Sequence, residues 1–166
     1  MKGTSIIELI IYGAILAFIS LFAVHTLLTV TAAFSQARTE RLINENGNSI
    51  MERLMREIRF AQAVDDASVL GANPSDLILK TFASPTDDTP ASIEFSSANK
   101  NLLFKTRAGN TIQLNADSIA VPVFTATKLI NGSTVGIKFQ LALQASSTKI
   151  NIQKIFYGTA ILRGSY

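Results

Sequence analysis

One carboxylate stands alone in the first 35 residues. Glu8 is the single acid in MKGTSIIELIIYGAILAFISLFAVHTLLTVTAAFS, and no charged residue follows it until Arg38 if His25 is counted as neutral. A run this apolar is long enough to span a bilayer, which takes ~20 predominantly apolar residues. An ionisable group inside such a run is expensive and marks function more often than chance would. The carboxylate either sits at headgroup level or meets a cationic partner, because an unpaired charge in lipid or in a packed helical bundle is costly. Thr4 lies four residues before Glu8, so the two share one helical face. In the first turn of a helix, the dipole favours a negative charge.

Other chemistries have too few residues to build on. His25 is the only histidine and lies inside the apolar run. One imidazole without an acid partner makes neither a metal site nor a Ser-His-Asp arrangement. The chain has no cysteine, which excludes a disulfide framework and a cysteine metal site. It has no glycine-rich phosphate loop of the G-x-x-x-x-G-K-[ST] or G-x-G-x-x-G kind. Asp65-Asp66 and Asp87-Asp88 are the only paired acids that suggest calcium, and adjacent acids in a loop read as solvated turns. Asn131-Gly132-Ser133 matches a glycosylation acceptor but reads better as a turn. No metal, cofactor or catalytic residue is therefore expected. Lys and Arg number 15 against 12 acids, for a net charge of +3. This is too small, and too little interleaved with aromatics, to predict a nucleic-acid partner.

The elements that would carry Glu8 follow from periodicity. Beyond the apolar run, Ile43, Ile50, Leu54, Ile58 and Ala61 recur at helical steps, with Gly47 filling the gap. Glu52, Arg53, Arg56, Glu57 and Arg59 mark the opposite, solvated side, where Glu52–Arg56 and Arg53–Glu57 are i, i+4 pairs. Residues 44–48, Asn-Glu-Asn-Gly-Asn, are poor helix material. They read as a soft spot, with a full break as the alternative.

After Ala63, turn residues punctuate short alternating runs. Strands are predicted at 77–82, at 93–95 and 102–105 as a hairpin, and at 111–114. Two more, at 121–129 and 135–143, flank an Asn131-Gly132 turn, and one or two lie within 149–163. The fold class is α+β: a long amino-terminal helix, transmembrane and then amphipathic, packed on an antiparallel β-sheet domain. A sheet with one apolar face must bury it against another element, and the stripe of residues 50–61 supplies a cover.

Gly3, four further residues ending at Glu8, and then an uninterrupted apolar run resemble the class III signal of type IV pilins and type II secretion pseudopilins. The 51–59 stretch followed by strands is most similar to minor pseudopilins of the J type and related minor pilins. The resemblance implies a leader of residues 1–3, cleaved after Gly3 by a prepilin peptidase that then methylates the amine of Thr4. It implies a transmembrane and filament-core helix over 4–34, an amphipathic helix over 35–63 and a β domain over 64–166. Glu8, the fifth residue of the mature chain, would pair with the free amine of a neighbouring subunit and set register in a filament.

Expected partners are other subunits, the peptidase, an inner-membrane platform, an assembly ATPase and, before assembly, lipid. The expected location is the cytoplasmic membrane, single-pass with the amino terminus inside and the β domain outside, and then a periplasmic or surface filament. Thr4 stands where a bulky apolar residue is commoner. No proline precedes Pro74, which points to a minor subunit. The alternative, in a different class, is a single-span anchored β binding module that forms no filament.

Overall fold

The computed structural model describes residues 6–81, 91–147 and 150–163. The chain divides into two compact units, Met1–Thr39 and Glu40–Tyr166. Helix α1 covers Ile6–Phe60, so its first part belongs to one unit and its last part to the other.

In the second unit, α1 buries Ile43, Gly47, Ile50, Met51, Leu54 and Ile58. Apart from Met51, these are the helical steps read from sequence. The predicted soft spot at 44–48 is helical throughout, because tertiary contacts override weak propensity there. Asn44 Oδ1 accepts a bond from Lys154 Nζ at 2.6 Å, and Asn46 Oδ1 accepts one from the Ala116 amide at 3.1 Å. Gly47 is where the Phe156 ring lies against the helix, and a Cβ on Gly47 would fall inside that ring.

The helix ends at Phe60, three residues short of the expected boundary. Gln62 already donates its amide to Lys80 O, and Ala63–Val64 form strand β1. Ala61 is buried as expected, but from beyond the helix end.

The β region is two antiparallel sheets. Strands β1, β2 (Leu77–Thr81), β3 (Ala91–Ala98), β4 (Asn101–Lys105) and β5 (Thr111–Gln113) form a meander in sequence order. Strands β6 (Ile119–Asn131), β7 (Thr134–Ser147) and β8 (Ile150–Ile161) form the second sheet. Residues 82–90, including Phe82 and the Asp87-Asp88 pair, lie outside the described residues, as does Lys149.

Both sheets and the helix stripe share one core that includes Phe95, Phe104, Phe124, Phe139 and Leu54. In β6 the inward phase changes from Ile119 and Val121 to Phe124 and Ala126. The register slips between Ala120 and Val123, where Pro122 supplies no ladder donor. The bulge thus keeps Ile119 and Val121 as well as Phe124 and Ala126 facing the core, while the last five residues of the strand are exposed.

Turn chemistry fixes two registers. Asn99 and Lys100 both have positive φ, 52° and 64°, as a two-residue type I′ hairpin requires. The β6–β7 turn consists of Gly132-Ser133, one residue later than the predicted Asn131-Gly132, since Asn131 pairs with Thr134. Gly132, at φ 60°, occupies the first loop position, where a type II′ turn takes glycine.

The charged side of the helix is less uniform than its sequence suggests. Arg53 is half-buried, with its guanidinium 4.5 Å above the Phe104 ring and Nε 3.1 Å from Glu57 Oε1. It acts as a cation over an aromatic face more than as a solvated residue. Arg56 meets Glu57 at 3.6 Å, and among the described residues the expected Glu52–Arg56 pair is not formed.

Candidate functional site

Glu8 is the acid in the first turn of α1. In the Met1–Thr39 unit, none of the described residues is buried except half-buried Thr39. Ile6, Leu9, Leu16, Phe18, Leu21 and Phe34 are each about two-thirds or more exposed. Helix α1 is long and apolar enough to cross a membrane. Residues 6–34 alone would measure ~43 Å at 1.5 Å per residue, more than the ~30 Å hydrocarbon core.

The hydroxyls of Ser20, Thr26, Thr29 and Thr31 follow one rule, and Glu8 departs from it. Ser20, Thr26, Thr29 and Thr31 donate their hydroxyls to the carbonyls of Leu16, Phe22, His25 and Leu28 at 2.8–2.9 Å. Hydroxyls that bond back to their own helix need no water, which suits a segment in lipid, where polar groups must be satisfied internally. Among the described residues Glu8 receives only the Tyr12 hydroxyl, at 3.4 Å. A long bond from one neutral donor leaves most of a carboxylate's acceptor capacity open. The arrangement can therefore accept a cation or an amine from outside the chain.

Tyr12 was not singled out in the sequence, although its i+4 spacing from Glu8 was visible there. Thr4 and Gly3 lie outside the described residues, and with them the expected Thr4–Glu8 face. Among the described residues the His25 imidazole has no partner. Its backbone carbonyl serves Thr29.

Asp65, one of the paired acids, has a structural task. Its Oδ1 accepts the Ala67 amide at 3.0 Å, and its Oδ2 lies 3.4 Å from Lys80 Nζ. The Ala67 amide, and secondarily Lys80, hold its pKa below the usual carboxylate range despite some opposing desolvation. Among the described residues no group of three metal-ligating side chains converges.

No family model matches the chain, no curated protein matches it, and no solved structure matches its fold.

Proposed function

We propose that the chain is a minor pilin or pseudopilin, a structural subunit of a type IV filament, and not an enzyme. The observation that carries this reading is Glu8. It is the lone acid in an exposed apolar helical stretch, and among the described residues only a 3.4 Å Tyr12 contact partners it. Exposed apolar surface of this extent needs either lipid or other helices around it. In a filament, helix–helix contacts along residues 6–33 replace lipid. Glu8 accepts the free amine of Thr4 from a neighbouring subunit, which neutralises both charges and fixes register. The Glu40–Tyr166 unit then supplies contacts outside the membrane. Other subunits, the prepilin peptidase, an inner-membrane platform and an assembly ATPase are its partners. Before assembly the chain sits in the cytoplasmic membrane with its amino terminus inside.

Intact-mass and amino-terminal analysis of the protein from native membranes tests this. A chain beginning at Thr4, with or without an added methyl, is expected, and Gly3→Arg should leave the leader attached. A chain beginning at Met1, or near Phe34, would remove the filament reading and leave a single-span anchored or secreted β module.

A further inference from the structure

We propose that the far edge of β8 and the groove beside it bind an extended, carboxylate-rich strand of another protein. This inference concerns the Glu40–Tyr166 unit and does not rest on the filament reading.

Sheet edges expose unpaired backbone groups, and proteins protect them. Here three of four edges are accounted for. Strands β1 and β5 are two and three residues long. The outer side of β6 is tied to loops: Val121 donates to Lys100 O at 2.7 Å, and the Ser75 and Gly71 amides donate to Phe124 O and Ala126 O. Strand β8 is the exception. It runs for 12 residues and pairs only with β7. Among the described residues no strand or loop bonds its other side.

Next to that edge is a groove of about 780 Å³ between β8 and the last turns of α1. Met55, Phe60 and Ile161 give it apolar surface, and Phe60 and Ile161 are about half exposed. Arg56, Arg59 and Arg163 line it against one acid, Glu52. Arg56 has Glu57 for company, while Arg59 and Arg163 have no carboxylate partner among the described residues.

The charge pattern selects the occupant. Strand β8 contains Lys154 and no acid, so a second copy of β8 would bring no carboxylate to Arg59 and Arg163. A strand with alternating carboxylates satisfies both features at once. Its backbone pairs with the open edge, which supplies affinity. Its acids meet Arg59 and Arg163 through charge-assisted, bidentate-capable bonds. The apolar surface of Phe60 and Ile161 receives the intervening side chains.

The test uses the full chain in zwitterionic detergent micelles. The probe is a labelled, end-blocked ten-residue peptide of alternating Glu and Val. The control has Lys in place of Glu, and glycerol 3-phosphate stands in for an anionic lipid headgroup. The Glu peptide should bind and slow amide exchange within β8, and the Lys peptide should not bind. R59E/R163E should weaken binding ~10-fold or more, as expected for loss and reversal of charge-assisted contacts. R59K/R163K, which keeps the charge but loses the planar fork, should weaken binding less than R59E/R163E does. The proposal is overturned if the Glu peptide does not bind, if the Lys peptide binds equally, or if R59E/R163E binds as the parent does. Displacement by glycerol 3-phosphate with no β8 amide protected would also overturn it, and would make the groove a headgroup pocket.

Discussion

Leu16 and Leu54 are the same residue type on the same helix, yet Leu16 is 67% exposed and Leu54 is 0% exposed. Around Leu16 the apolar residues go all the way round the helix, and no face is preferred. Around Leu54 they form a stripe, and the other side carries charge. A helix apolar on every side needs an apolar surrounding, whereas a striped helix needs one partner layer. In the second stretch that layer is supplied by the two sheets of the same chain. In the first no such layer is present among the described residues. The division of the chain into two units at Thr39/Glu40 follows that change of environment.

The sharpest way to break this comparison is to make one substitution in both places. Leu54→Ala should cost ~2–5 kcal/mol of unfolding free energy, since it opens a cavity in a closed core. Leu16→Ala should change the stability of the sheet-bearing unit by less than ~0.5 kcal/mol, as exposed substitutions do. Denaturant unfolding of the full chain in detergent checks both. Equal costs would mean the two stretches are not energetically distinct.

A smaller effect is expected at Gly47. Its Cβ would overlap the Phe156 ring, so Gly47→Ala should incur an overpacking cost of ~1–3 kcal/mol. A helix-propensity gain of ~1 kcal/mol opposes it. Net destabilisation, relieved in part by Phe156→Leu, is the expected result. Net stabilisation would show that propensity governs this turn and that the ring simply swings aside.

The smallest effect concerns pH. Because the folded pKa of Asp65 is lowered, its contribution is fully present above the unfolded carboxylate value near ~4. It is lost as pH falls through the lower folded value. Asp65→Asn should flatten that acid limb slightly in stability curves taken between pH 6 and pH 2, with little change near neutrality. An unchanged acid limb would contradict the assignment.

These stretches also differ in how legible they were. The stripe at 43–58, the α+β class and the hairpin at Asn99-Lys100 follow from period and turn chemistry. Three features did not, each because a distant residue decides it. Residues 44–48 look unsuited to a helix until Lys154, Phe156 and Ala116 are seen to dock on them. Arg53 reads as solvated until Phe104 arrives beneath it. The division into two sheets depends on which strands stop pairing after β5, which local alternation does not encode. At the candidate site, the isolation of Glu8 was plain from sequence alone. Its Tyr12 contact follows from i, i+4 spacing but leaves no mark in the hydropathy pattern. The lone acid carries the functional reading because it breaks the pattern around it, whereas the core is legible because it keeps to one.

The most direct measurement places a photo-crosslinking amino acid at Phe18 or Phe22 in the full chain in native membranes, with and without Glu8→Ala. The expected result is a set of adducts with proteins that carry the same apolar, single-acid head, abolished or strongly reduced by Glu8→Ala while amino-terminal processing continues. Adducts with lipid alone at both positions, unchanged by Glu8→Ala, would contradict assembly through this helix.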